Sequence, residues 1–517
     1  MRARKLGLVA AISLAASTLV QANWVASGQL LYQHREWDAT GFTGAVTTLP
    51  VRYADVQVCD ASKPSIKVIA NGKTDANGNF SISVSDSATR PKVRVKILTS
   101  TTQTSDLFVK VTTQGNSVYA ANTSDALNHG PNTNVNWGTL TAAAFAGGEA
   151  FNIFDLAVYG ADHIKALSGS RPSSSKLVTL KWEAGAGVTV SATSGSTIQL
   201  RDTAGYDDTV ILHEWAHYAM NAYSKSSNPG GTHYLSGCDE DPRLAFDEAR
   251  ASFFGCSVRR ANGWPNPNIY LRTDGAAGPG HMQNWYDLED AIQYACLGDT
   301  SETGNSRALW DIGDSAATID SSPGFDDTPP DALALVDGEV WQVMTGPIKN
   351  VMYVTAESFW DGWFDPAVAN GNYAGMKDVW NAFAIEFWHD GSEPNNTSAT
   401  ATQLVANDPA LHLTYFYDAN GDGKGDVDTD MFRFDTTGGT PYTIETLNLW
   451  SANDTNLELL DSNGTTVLAS NNDRASGDRS SRVTWVAPRS DVFYVRSKRV
   501  TGATTKYGSY DLKISTP

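Results

Sequence analysis

Histidine, cysteine and positive charge are scarce in this chain. Nine His and four Cys occur in 517 residues, and 38 Lys plus Arg face 57 Asp plus Glu, a formal net charge of -19. An acidic surface of this kind excludes nucleic acid and anionic membrane as main partners, because both would repel it. Beyond the first twenty residues no stretch reaches the ~18 consecutive apolar residues that a membrane span requires. The chain is also too long for one hydrophobic core, and the usual domain size gives about three domains.

What is present at the N-terminus is a leader pattern. Arg2, Arg4 and Lys5 precede an apolar run from Leu6 to Leu19, and Val20-Gln21-Ala22 offers a small-x-small cleavage site before Asn23. The run predicts a signal peptide over 1–22 and an exported mature chain, secreted or periplasmic and free of the bilayer. Export permits disulfides. Cys59 falls in a different predicted domain from Cys238, Cys256 and Cys296. A helix between Cys238 and Cys256 would keep its ends roughly 16 to 18 Å apart, against the ~7 Å limit for bridged Cα atoms. A bridge involving Cys296 is therefore expected over Cys238 to Cys256.

Scarce histidine makes one cluster conspicuous. Within Val-Ile-Leu-His-Glu-Trp-Ala-His-Tyr-Ala-Met (210–220), His213, Glu214 and His217 spell H-E-x-x-H. Four residues are about one helical turn, so both imidazoles face one side and form a two-point metal clamp. Val210, Ile211, Leu212, Trp215, Ala216, Ala219 and Met220 leave almost no polar face, which predicts a buried helix. Buried without partners, two His and a Glu would cost several kcal/mol; a bound Zn2+ uses the imidazoles as ligands and keeps a carboxylate ionised nearby. Glu214 then takes the general-base position.

A hydrolytic zinc site needs three protein ligands and one open position, so a third ligand must follow His217. Asn228-Pro229-Gly230-Gly231 breaks the first helix, and Asp241-Pro242 reads as the N-cap and first residue of a second, Leu244 to Phe254, closed by Gly255. Glu248 in its middle is the nominated ligand, with Asp247 beside it as the alternative. The metzincin pattern would need Gly at 220 and His at 223, where this chain has Met220 and Tyr223.

The segment A-F-D-E-A-R-A-S-F-F resembles the E-G-x-A-x-[FY]-F helix of the gluzincins, the thermolysin-like metallopeptidases. Aligned on Glu248, Ala251 and Phe254 match, and Ala249 replaces the usual Gly. The resemblance implies zinc held by His213, His217 and Glu248. It also implies a substrate-aligning edge strand ahead of the first helix, for which Ile198-Gln199-Leu200 is the candidate. Asp311 and Asp314, in an L-W-D-x-x-D segment, are candidates for carboxylates orienting the ligand histidines, or else ordinary solvated acids. For the oxyanion donor, His233, Tyr234, His281 and Tyr286 stay undistinguished.

The flanks have a different periodicity. From Trp24 to Asn122 short alternating runs are separated by turns, the clearest being Thr74-Asp75-Ala76-Asn77-Gly78-Asn79-Phe80. With Asp55-Val56-Gln57-Val58, this resembles carboxypeptidase-regulatory-like, transthyretin-like β-sandwiches. At Gly391-Ser392-Glu393-Pro394-Asn395-Asn396 composition turns to Ser, Thr, Asn and Asp. Glu393-Pro394-Asn395-Asn396, Asp428-Thr429-Asp430-Met431-Phe432, Leu457 to Asp461 with Gly464, and Tyr507-Gly508-Ser509-Tyr510 resemble the bacterial pre-peptidase C-terminal domain, a β-sandwich accessory to secreted peptidases. Inside it Asp418, Asn420, Asp422 and Asp426 follow the D-x-N-x-D-G spacing of a Ca2+ loop, with Thr429 where an EF-hand has its bidentate Glu; a weak structural site and a solvated acidic turn are both compatible with that.

The expected fold is multidomain: a signal peptide (1–22), a β-sandwich (23–125), a central α+β zincin-like domain (135–390) and a C-terminal β-sandwich (391–517). The expected function is a secreted zinc-dependent endopeptidase acting on protein or peptide substrates, with Ca2+ as a second, structural ion. The alternatives are an exported non-catalytic binding or adhesion protein and a zinc hydrolase of a non-peptide amide.

Overall fold

The computed structural model describes residues 23–63, 66–102, 107–171, 177–289, 296–313, 333, 337–368, 370–387, 390–417, 428–450, 453–500 and 508–517. The expected signal peptide, Asp314 and the calcium-loop residues Asp418, Asn420, Asp422 and Asp426 lie outside the described residues. The described chain is multidomain and rich in β-sheet, with seven α-helices, and separates into two compact units.

The first unit gathers 50–98 and 120–142 with the start of the strand Asn23–Asp38. One of its sheets runs Lys67–Lys73, Asp55–Asp60, Arg90–Leu98, the last also pairing with Ala120–Asn122 and Ala126–His129. In the other, Asn79–Ser85 lies antiparallel to the first residues of Asn23–Asp38. Its alternation is strict: Phe80, Ile82 and Val84 are buried and the residues between them exposed, so one face packs and the other meets water. The turn before it is built as the Asn-Gly signal requires. Asp75 Oδ1 accepts from the backbone of Asn77 and Asn79 (2.8 and 2.9 Å), and Gly78 has φ 74°, where a Cβ would come within 2.3 Å of the Leu30 carbonyl oxygen.

The second unit takes in residues 32–49, 99–119 and everything from 143 onward. The expected block 23–125 is thus divided, because Val109–Thr112 pairs in parallel with Val178–Lys181, and Gly41 and Phe42 pair with His281 and Gly280. The four-stranded sheet here has the order Ala192–Ser194, Thr197–Gln199, Val178–Lys181, Val109–Thr112. Ile198 is therefore internal to the sheet. The edge is Ala192–Ser194, added by an antiparallel hairpin, which corrects the expected edge strand 198–200. A second hairpin pairs Ile269–Thr273 with Gly280–Asp287.

The helices are α1 Gly148–Ser168, α2 Asp208–Tyr223, α3 Pro242–Ala261, α4 Glu302–Gly313, α5 Asp337–Thr345, α6 Ala356–Trp363 and α7 Tyr373–Ala382. α2 is buried almost all round, as its sequence predicts, and α3 packs against both α2 and α4. α3 starts where expected: Asp241 caps it by accepting from the Arg243 backbone N–H at 2.9 Å, and Pro242 is its first residue. It does not stop at Gly255. A Cβ there would lie 3.3 Å from Leu212 Cβ and 3.5 Å from the His213 nitrogen, so this glycine is the crossing point at which α2 and α3 approach. Cys238 and Cys296 form a disulfide with Cα atoms 4.9 Å apart, while Cys59 and Cys256 are free and buried.

From Thr402 onward the second unit ends in two facing sheets. One has the order Thr402–Leu404, Thr429–Asp435, Val492–Arg499, Thr455–Leu460, Val467–Asn471; the other, Leu411–Thr414, Ser509–Ser515, Pro441–Leu447, Arg482–Val486. Phe432, Phe434, Leu457, Phe493, Val495, Tyr510 and Leu512 fill the space between them. No helix among the described residues is long and apolar enough to cross a membrane.

Candidate metal centre

The N-terminus of α2 is fixed by two buried acids. Asp208 accepts from Arg259 of α3 at 2.7 Å, and Asp207 pairs with Arg201 and accepts from Thr273 Oγ1 at 2.6 Å. Both carboxylates also stand at the positive end of the helix dipole. With α2 anchored there and crossed by α3 at Gly255, His213 and His217 face Glu248.

Three ligand atoms converge. Glu248 Oε2 lies 3.0 Å from His213 Nε2 and 3.1 Å from His217 Nε2, and the two Nε2 atoms are 3.1 Å apart. Tetrahedral Zn2+ with bonds of about 2.0–2.2 Å separates its ligand atoms by about 3.3 Å, so the three residues fit that ion with little movement. Each ring is turned to offer Nε2 by a partner on its other nitrogen. His217 Nδ1 is 3.2 Å from Asp247 Oδ2, and His213 Nδ1 is 3.0 Å from Ser252 Oγ. Asp247 in turn is paired with Arg250. Asp247, the alternative third ligand, thus stands behind the candidate metal site, and Asp247 and Ser252 sit where Asp311 and Asp314 were expected. Asp311, on α4, lies outside the cleft lining.

The charges of these side chains are interdependent. Burial alone would lower the His217 pKa, yet the Glu248 and Asp247 carboxylates hold it well above its ordinary value. Burial would likewise raise Glu248 and Asp247, but His217 with His213 drives Glu248 well below the usual range, and Arg250 with His217 does the same to Asp247. A metal ion at the three ligand atoms would satisfy the same carboxylates in place of that proton.

Glu214 is buried beside the ligands and lines the same cleft of about 820 Å³. Thr193 Oγ1, on the edge strand Ala192–Ser194, lies 2.8 Å from Glu214 Oε2 and 2.8 Å from the Glu214 carbonyl oxygen. On the other side Asn228 donates to Glu248 Oε1 at 3.1 Å and to Asp247 Oδ2 at 3.3 Å.

The four oxyanion candidates separate clearly. His233 lines the cleft with Nε2 3.9 Å from Glu248 Oε1, and its Nδ1 is 3.1 Å from Glu302 Oε2. The Glu302 contact, against burial and with help from Glu248, lifts His233 to about 9, so it is charged at neutral pH. Tyr234 is an exposed rim residue. His281 pairs with Asp274 outside the cleft, and Tyr286 is fully buried and stacked on Tyr270. Sequence reasoning missed Thr193, Asn228, Ser252 and Glu302. Ser252 alone left a sign, standing four residues after Glu248 on one helix face.

A second group sits at the start of the C-terminal sandwich, where carboxylate oxygens of Asp390, Glu393 and Asp430 all lie within 4.8 Å of one another. Asp430 is fully buried against Tyr510 and Asn395. Glu393 Oε1, Asn395 Oδ1 and Asp428 Oδ2 are buried with no hydrogen-bond donor among the described residues. Burial, then the neighbouring Glu393, pushes Asp428 up to about 8; burial, then Asp428, holds Asp430 well above its usual range.

Among curated proteins none matches the chain significantly. Of solved structures, the chain is similar to the pre-peptidase C-terminal domain of a collagenase from Bacillus anthracis (15% identity, 22% of this chain and 93% of that one, TM-score 0.17). It is also similar to a 9R-lipoxygenase from Cyanothece PCC8801 (18% identity, 32% and 27% covered, TM-score 0.15). A third is PliG of Aeromonas hydrophila, a periplasmic inhibitor of g-type lysozyme (9% identity, 23% and 97% covered, TM-score 0.15). One stretch has a family: residues 428–497 are a bacterial pre-peptidase C-terminal domain.

Proposed function

We propose that this protein is an exported zinc-dependent endopeptidase whose central region is zincin-like. The observation that carries the reading is the convergence of His213 Nε2, His217 Nε2 and Glu248 Oε2 at 3.0 to 3.1 Å, with the Glu214 carboxylate beside them in an open cleft. A domain named for the C-termini of bacterial pre-peptidases supports it.

His213, His217 and Glu248 would hold Zn2+, which when bound supplies Lewis acidity toward a water molecule and the scissile carbonyl. Glu214 accepts the proton of the attacking water and passes it to the leaving amine. Thr193 fixes that carboxylate by donating to it or to the backbone carbonyl next to it. The His233 imidazolium, oriented by Glu302, donates to the oxygen that gains charge as the carbonyl is attacked. The edge strand Ala192–Ser194 lines the cleft and offers unpaired backbone groups to an extended peptide.

The test is zinc content and cleavage of a peptide pool for wild type and Glu214→Gln. One zinc per chain in both, with cleavage by wild type only, supports the reading. Wild type without stoichiometric zinc sinks it. Zinc in both with no cleavage by either favours an exported binding protein, and turnover of non-peptide amides alone favours the other hydrolase.

We further propose Ca2+ as the second ion, at Asp390, Glu393, Asp428 and Asp430. Hard carboxylate oxygens without donors suit Ca2+, and an all-oxygen set disfavours Zn2+.

A further inference from the structure

We infer that the hairpin wall of the cleft carries a subsite for a substrate carboxylate, anchored by Arg272. The inference rests on the peptidase reading and names the side chain that such an enzyme would select near the cleaved bond.

The strand Ile269–Thr273 alternates. Ile269, Leu271 and Thr273 are buried, while Tyr270 and Arg272 line the cleft. The Tyr270 ring stands edge-on to His213 with centroids 5.8 Å apart. Two residues along a strand cover about 6.6 Å, so Arg272 stands one strand repeat from the residue that touches a metal ligand. On an extended peptide the same ~6.6 Å spans about two residues beyond the point that faces Tyr270.

Arg272 has no ion-pair partner among the described residues, although Glu214, Asp247, Glu248 and Glu302 line the same cleft. Arg201, Arg250, Arg259 and Arg260 are each paired with an aspartate, at Asp207, Asp247, Asp208 and Asp337. Arg272 is exposed, and no carboxylate pairs with it among the described residues. Behind it Arg201 also lines the cleft with a side chain 5% exposed. Its terminal nitrogens are taken by Asp207 and the Thr273 carbonyl, and its Nε has no acceptor among the described residues. Burial lowers Arg201, and the like charge of Arg272 adds to that, as expected of neighbours. A chain of net charge -19 that keeps an unpaired cation on its cleft wall attracts an anion at that place, and a guanidinium binds a carboxylate by two parallel hydrogen bonds.

The experiment uses peptide pairs that differ only by Glu against Gln at each position flanking the cleaved bond. For wild type, one position should favour Glu in kcat/KM by about tenfold. The preference should fall to about one in Arg272→Gln and reverse to favour Gln in Arg272→Glu, as expected when a charge is removed or reversed. Calorimetric binding of the same pairs to Glu214→Gln protein is the second arm, with the same ordering expected. Equal rates and equal binding for Glu and Gln in the unsubstituted cleft, or a Glu preference that survives Arg272→Gln, overturns the subsite. Tighter binding of the Glu peptide through Arg272 without cleavage by wild type leaves the subsite standing and sinks the peptidase reading. Cleavage without a Glu preference does the opposite, and neither cleavage nor binding removes both.

Discussion

Buried carboxylates behave in opposite ways in the α2–α3 region and at the base of the C-terminal sandwich. Glu248 and Asp247 are held far down, because His213, His217 and Arg250 surround them with donors and positive charge. Asp361, Asp428 and Asp430 are pushed up, because burial and neighbouring acids outweigh what opposes them, Ser509 and His412 at Asp361, the Thr429 N–H at Asp428 and Tyr510 at Asp430. The difference lies in partners rather than depth. On the proposed reading, one region holds a cation through nitrogen and oxygen, and the other either keeps protons or takes an oxygen-loving ion.

The comparison breaks first at its charged pole. His217→Ala should lose stoichiometric zinc and all measurable cleavage, whereas Glu214→Gln should keep zinc and lose about 10²- to 10⁴-fold in kcat, read by metal analysis beside a peptide assay. Next comes His233→Ala, expected to lower kcat by about 10²- to 10³-fold with KM little changed, as for loss of an oxyanion donor. An unaltered kcat would return the role to another group. Asp247→Asn should weaken zinc about 10- to 100-fold, measured by competition with a chelator, since it removes the acceptor behind His217.

The other pole yields smaller effects. Adding Ca2+ should raise the thermal midpoint by a few degrees, and Asp430→Asn should abolish that rise while leaving zinc content intact. Asp361 sharpens the contrast through pH. Burial first, then Glu357, lifts its carboxyl to about 8 from an ordinary 3.8, so the folded chain keeps a proton that the unfolded chain releases. Its contribution to stability then falls as pH rises from about 4 to about 8, and Asp361→Asn should remove that contribution from the slope in denaturant titrations. An unchanged slope would show that Asp361 is not protonated in the fold.

How much of this was legible varies with distance along the chain. α2, its burial and its two imidazoles follow from spacing within eleven residues, and Glu248 from a helix with its own cap. Gly255 misled because a glycine after an amphipathic run reads as a stop, whereas here it lets two helices touch. The edge strand was misplaced for a related reason: Ile198 carries the β signal because it is buried inside the sheet, and the true edge, Ala-Thr-Ser, is short and polar. Glu302 reaches His233 across 69 residues and Thr193 reaches Glu214 across 21, and no local pattern encodes such pairs.

The bridge between Cys238 and Cys296 has a consequence for timing. His233 lies just before the first cysteine and Glu302 just after the second, so one covalent tie lashes together the two strands of chain that bear this pair. Of the proposed zinc ligands, His213 and His217 lie before that tie and Glu248 lies inside it, in the second turn of α3, and their geometry is set by α2 against α3. If the proposed function holds, a reduced chain would assemble its three metal ligands before the His233–Glu302 pair is tied. On the proposed reading, closing the Cys238–Cys296 bridge is then the step that seats His233 beside Glu302.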